Sequence, residues 1–216
     1  MTDATKTVAS APAVRRPEAT VSAIAWSKHA AADTIDERLT AIANARSKLK
    51  TLSGPFVQSR TIGLLATKVI STGKLTLVRP DRFRWDVNEE QVSYWVAPEG
   101  LAYKGQQGHG RLAATQKMSK DLDELRAWLS GDPRTLRDRY DIAEVASDGG
   151  AGVVLEATPK SGQTTHFARV TLTLDADLVR PRKVVLVEGA RDKTEITFGE
   201  LNKDAVIDPT VMRLPD

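Results

Sequence analysis

The sequence predicts an α+β fold of about eleven antiparallel strands, with one helix ahead of them and one helical insertion among them. Three observations carry that prediction. An apolar repeat at three and four residues runs to Leu52, a repeat of two takes over from Phe56, and the helical repeat returns once between Ser119 and Tyr140. The links between strands are short, which suits antiparallel neighbours, and 216 residues suffice for one good-sized core or for a core plus a tail.

Residues 1–33 are rich in Ala, Thr, Ser and Pro, and "APAVRRPEAT" reads as an extended or disordered lead-in, from which Val21, Ile24 and Trp26 can dock locally. A single domain is expected over 34–216. It opens with a helix from Thr34 to Leu52, on which Ile35, Leu39, Ile42, Ala45 or Arg46, Leu49 and Leu52 form one stripe. Asp33 or Thr34 is its expected cap, and Gly54-Pro55 is expected to end it. Strands are predicted over 55–63, 66–71, 73–79, 82–88, 91–97, 100–104 and 110–114, with Ser71-Thr72-Gly73 and Pro98-Glu99-Gly100 as turns.

In the insertion "SKDLDELRAWLSGDPRTLRDRY", Leu122, Leu125, Trp128 and Leu129 line one face. Ser119 is the expected cap, and Gly131 to Pro133 closes the helix before a short turn at Leu136 and Tyr140. Strands resume over 140–146, 152–158, 165–174, 182–189 and 193–201, and prolines extend the tail "DPTVMRLPD".

Composition excludes several functions. The 31 basic and 28 acidic residues are scattered, so nucleic acid is a poor candidate partner. Without cysteine there is no disulfide, thiolate metal site, cysteine nucleophile or lipid-bearing cysteine. No apolar run approaches the roughly 18 residues of a membrane span. The first ten residues, "MTDATKTVAS", hold no hydrophobic segment, so no intact export signal is read in them. His29, His109 and His166 lie far apart and read as loop or surface residues. "GQQGHGR" lacks the spacing of a phosphate loop and reads as a hairpin, while "DLDE" lacks a calcium loop's glycine and reads as a solvated helix face. No catalytic constellation, metal site or cofactor is expected.

What remains is shape. Val92, Tyr94 and Val96 oppose Trp95 and Ala97, and Val184 and Leu186 oppose Val185 and Val187, so these strands are apolar on both faces and need two covers. Either the sheet curls on itself with ordinary packing, or helices cover an apolar cavity for a greasy ligand. Within "GKLTLVRPDRFRWDV", alternation puts Arg79 on the face of Leu75 and Leu77, where a cation has no water and must find oxygen acceptors or reach the rim.

Four segments, "GPFVQSRTI", "GKLTLVRPDRFRWDV", "VVLEATPK" and "TEITFGELNKDAVIDPTVMRLP", resemble in order and spacing the outer-membrane lipoprotein carrier family of Gram-negative bacteria, LolA. The specific part is Arg79-Pro80 followed by Arg82, Phe83, Arg84 and Trp85. The resemblance covers about residues 34 to 215. It implies an open, unclosed antiparallel half-barrel of about eleven strands, with an N-terminal helix and a helical lid over an apolar cavity.

The family's role implies a monomeric periplasmic shuttle without catalysis. It would take acylated lipoproteins from an inner-membrane ABC transporter and hand them to an outer-membrane receptor. Leu75, Leu77, Arg79, Phe83, Trp85, Tyr94, Leu122, Leu125, Trp128, Leu129, Val170, Leu172 and Leu174 are assigned to cavity and lid. The family's lid-latching arginine falls on Arg79. The competing readings place Arg79 at the rim or paired with Asp81 or Glu89, and make the protein a lipid- or glycolipid-binding paralogue, a lipoprotein-stress sensor or an enzyme on the same frame.

Overall fold

Alternating burial along the strands fixes which face of the sheet holds the core. In β3 (Arg82–Val87) the side chains of Phe83, Trp85 and Val87 are buried, and those of Arg82, Arg84 and Asp86 are partly exposed on the other face. The computed structural model describes residues 22–63, 67–147, 152–163, 165–189 and 191–215, with side chains from Thr34 onward. The chain divides into Met1–Thr34 and Ile35–Asp216. Apart from the start of the first helix, everything that follows lies in the second unit. The expected lead-in falls outside the described residues up to 21, and so do the side chains of Ile24 and Trp26.

Helix α1 (Ser22–Ser47) precedes β1 (Thr51–Ile62), β2 (Thr67–Val78) and β3, and then come β4 (Val92–Ala97), β5 (Gly100–Gly105) and β6 (Gly108–Leu112). Helix α2 (Lys117–Ser130) and a 3₁₀ segment (Pro133–Asp138) follow. The remaining strands are β7 (Tyr140–Val145), β8 (Val153–Pro159), β9 (Arg169–Leu174), β10 (Pro181–Val187), β11 (Lys193–Phe198) and the short β12 (Asn202–Lys203). They make one antiparallel sheet in the order β6-β5-β4-β3-β2-β1-β11-β10-β9-β8-β7, with β12 beside the start of β1. Its edges, β6 and β7, do not pair with each other, so the sheet is open. The predicted α+β class, strand direction and helical insertion all hold.

Several local expectations do not. The first helix begins at Ser22 rather than Thr34, inside the segment expected to be extended, so Asp33 and Thr34 are interior residues and not caps. Alanines at 23, 25, 30, 31 and 32 favour that extension. The helix also ends earlier, because residues 51–62 are taken by a twelve-residue ladder with β2 that runs straight through Gly54-Pro55. Pro55 falls between two partners on its other side: β12 reaches Ser53 and β11 begins at Phe56. Its missing N–H therefore interrupts no ladder bond there, while its carbonyl still accepts from Gly199 N at 2.9 Å.

Ser71-Thr72-Gly73 is not a turn but the middle of one continuous β2. Gly73 is needed for close approach: a Cβ there would lie 1.9 Å from Asp86 O and 2.3 Å from the Phe56 ring. Ser119 sits inside α2 and donates to Ala113 O, and Gln116 occupies the cap position. The tail forms a 3₁₀ segment (Pro209–Met212) and is not simply extended.

That tail supplies one of the two covers. Trp95 and Arg84, on the face away from the core, both donate to Val211 O, at 2.9 and 2.8 Å, with the guanidinium stacked 4.6 Å over the indole. The other face carries Phe56, Leu75, Leu77, Phe83, Trp85, Leu155, Val170, Leu172, Leu174, Val184 and Ile196, packed against α2 and the buried stripe Ile35, Leu39 and Ile42 of α1.

Candidate functional site

Helix α2 lies over the core face of the sheet, and a cavity of about 300 Å³ remains between them. Trp85, Val87, Tyr94, Leu186 and Ile196 line it from the strands and Leu122 and Leu125 from the helix, beside the polar side chains of Gln58, Arg60, Ser71, Glu90, Asp121, Glu188 and Thr194. Phe56 stacks on Trp85 with ring centroids 3.7 Å apart, and Phe198 meets it edge-on, so an aromatic floor underlies the cavity. Burial, followed by the charge of Glu90, holds the Tyr94 phenol above its ordinary pKa.

Of the thirteen residues assigned to cavity and lid, Trp85, Tyr94, Leu122 and Leu125 reach this space. Leu75, Leu77, Phe83, Trp128, Leu129, Val170, Leu172 and Leu174 are buried beside it in the packed core. Arg79 does neither. It leaves the end of β2 and its Nη1 donates to Ser130 O, the last carbonyl of α2, at 2.6 Å. It makes no pair with Asp81 or Glu89, whose carboxylate instead accepts from Thr72. The cation projecting from an apolar face thus finds a carbonyl at the negative end of a helix dipole, where the last turn has no intrahelical donors left.

A second arginine does the same from the other side. Arg46 of α1 is 2% exposed, and its Nη1 donates to Gly131 O at 3.1 Å. Two consecutive carbonyls therefore each accept from a guanidinium. Burial, then repulsion from Arg79, pushes the Arg46 pKa down to about 10, with Asp132 acting in the opposite direction. Gly131 is confined to glycine by its own helix, since a Cβ would lie 2.5 Å from Ala127 O. The stripe of α1 includes position 46, but nothing in the sequence chooses between Arg46 and Ala45 as its member.

At the opposite end of α2 the contacts are of another kind. Lys117 Nζ donates to Asp121 Oδ2 at 3.1 Å and to Glu188 Oε2 at 2.6 Å, and it lies 3.1 Å from His166 Nε2. His166 is also 2.7 Å from Asp121 Oδ1. Desolvation pulls the Lys117 pKa down, but the hydrogen bonds to Glu188 and Asp121 outweigh it and leave it raised. Asp121, His166 and Glu188 are close enough to share a metal ion, yet the ammonium already occupies their midst.

By sequence His166 reads as an isolated loop residue and "DLDE" as solvated. The fold instead gathers His166, Asp121 and Glu188, and it buries Glu124, which accepts from Trp128 Nε1 at 3.1 Å and Arg139 Nη1 at 2.8 Å.

The sequence profile of the family described as outer membrane lipoprotein carrier protein LolA matches residues 47–213. Among curated proteins none matches. Among solved structures, MucB superposes with a TM-score of 0.53 and 20% identity over 83% of this chain and 62% of that one. An uncharacterised conserved protein from Thermus thermophilus gives 0.50 and 12%, over 84% of this chain and 94% of that one. A DUF1329 family protein from Desulfovibrio piger gives 0.48 and 16%, over 82% and 95%. The first two of these likenesses are of fold alone.

Proposed function

Because the chain belongs to the LolA family of outer membrane lipoprotein carrier proteins, we propose that it binds lipoprotein acyl chains under α2 and carries them through the periplasm from the inner to the outer membrane. The observation that carries this reading is the predominantly apolar cavity beneath a helix whose end is held by Arg79. Each buried methylene contributes about 0.8 kcal/mol, so one sixteen-carbon chain supplies on the order of 10 kcal/mol before ordering costs.

The cavity volume, 300 Å³, lies at the lower end of the roughly 300–1,000 Å³ of ligand pockets. A full chain therefore requires α2 to lift, exposing Leu75, Leu77, Phe83 and the β9 leucines that the helix now covers. On this reading the described arrangement is the closed, unloaded one, and cargo is taken up and released by moving α2. An inner-membrane ABC transporter would load the carrier, and an outer-membrane receptor would unload it.

The test is titration with a fluorescent fatty acid, followed by transfer of a labelled lipoprotein from loaded carrier to receptor. Saturable 1:1 binding and receptor-dependent transfer are expected. Absence of a saturable site would sink the acyl-binding reading, and binding without transfer would leave a lipid-binding protein with no shuttle role.

A further inference from the structure

Arg46 is a buried cation that the Arg79 latch does not use. Its Nη1 reaches Gly131 O, but Nε and Nη2 are fully buried and have no hydrogen-bond partner among the described residues. The carboxylate whose charge it feels, that of Asp132, does not serve it. Asp132 caps the following 3₁₀ segment by accepting from Arg134 N, and both of its oxygens are engaged by the Arg134 guanidinium. A second guanidinium, that of Arg79, points at the adjacent carbonyl and repels it.

A desolvated charge with unfilled donors costs free energy, and water would restore both its solvation and its bonds. Movement of the C-terminal end of α2, whose adjoining Gly131 O it bonds, would admit that water.

We propose that Arg46 is an opening element of the α2 hinge: a cation that destabilises the closed arrangement from within and opposes the hold of Arg79. The proposal rests on the reading of α2 as a lid. It gives that lid a set point. Arg79 alone would make the closed state deep, whereas Arg79 against Arg46 leaves it shallow enough for cargo to displace. The two arginines look alike in sequence and bond to neighbouring carbonyls, but their charges act in opposite directions on the closed state.

The experiment is amide hydrogen exchange across α2 in the full chain without ligand, at neutral pH, for wild type, Arg46→Met, Arg46→Gln and Arg79→Leu. Methionine fills similar space without charge, and glutamine can keep one bond to Gly131 O. Exchange over the last turns of α2 should slow by about tenfold in both Arg46 variants, as expected on removing a poorly satisfied buried charge. It should accelerate in Arg79→Leu, and Arg46→Met with Arg79→Leu should return toward wild type.

Unchanged or faster exchange in the Arg46 variants, or loss of folding in both, would make Arg46 an ordinary holding contact and overturn the proposal. Because the readout needs no ligand, failure of fatty-acid binding would count against the carrier function alone.

Discussion

The two ends of α2 are fastened by opposite chemistries. At its start, a half-exposed lysine joins two carboxylates and a histidine through side chains alone. At its finish, two guanidiniums meet backbone carbonyls, Arg46 of α1 from a buried position and Arg79 at the end of β2 from a partly exposed one. A side-chain network in contact with water is cheap to break, and salt and pH tune it. A charged donor on an otherwise unpaired carbonyl is stronger and has no titrating acceptor. The start of the helix is thus loosely tied, while its finish is tied by Arg79 and only poorly by Arg46, two of whose donors stay unfilled.

The largest effect on this contrast should come from the firm half. Trp128 is 1% exposed, meets Tyr140 edge-on at 5.5 Å and donates to Glu124. Trp128→Ala should cost about 3–5 kcal/mol of stability by leaving a cavity and removing one partner of a buried carboxylate. Urea denaturation measures it. A cost near that of an exposed residue would mean that the C-terminal half of α2 is not the anchored half.

Next is Arg79. Replacing it with leucine suits the apolar face but leaves Ser130 O unpaired. Losing a hydrogen bond from a charged donor costs about 1.5–3 kcal/mol, roughly a ten- to hundredfold shift toward the open form. Arg79→Leu should fold and accept cargo but fail to deliver it, and lysine should rescue only in part because its more strongly hydrated ammonium lacks the fixed donor geometry of the guanidinium. Normal transfer by the leucine variant in the lipoprotein assay would end the latch reading.

Which parts of this were legible in the sequence follows from the range of the interactions. The alternation in "RFRWDV" and the stripe Leu122, Leu125, Trp128 and Leu129 are local patterns, and the fold keeps them. Gly73 misleads because Ser-Thr-Gly is turn chemistry in isolation, and the Asp86 carbonyl and the Phe56 ring, brought over by the neighbouring strands, give the glycine its purpose. Arg79 stood out because a cation broke an apolar alternation. Arg46 did not, because a helical stripe tolerates a long side chain at its edge. The Lys117 network was invisible for a simpler reason. His166 and Glu188 lie 49 and 71 residues from Lys117, and no local period connects them.

The smallest expected effect concerns that network, and it tests the contrast between the ends most directly. Lys117→Met should cost no more than about 1 kcal/mol, since half-exposed ion pairs of this kind contribute little. Moderate salt should erase much of that cost by screening the pairs. The pH dependence has a definite sign. The folded-state pKa of Lys117 is raised, so its contribution is fully present below the unfolded lysine value, about 10.4, and is lost as pH rises through the folded value.

Arg46 behaves in reverse. Its folded pKa of about 10 lies below that of the unfolded chain, so the unfolded state binds more protons above pH 10 and the penalty of the buried charge is relieved as pH rises. The difference in unfolding free energy between wild type and Lys117→Met should therefore shrink toward zero on alkaline titration. The difference between wild type and Arg46→Met should shrink as well, but from the opposite sign. If the Lys117 difference persists unchanged through the alkaline range and through added salt, the start of α2 is held by packing and not by charge, and the two ends are fastened alike.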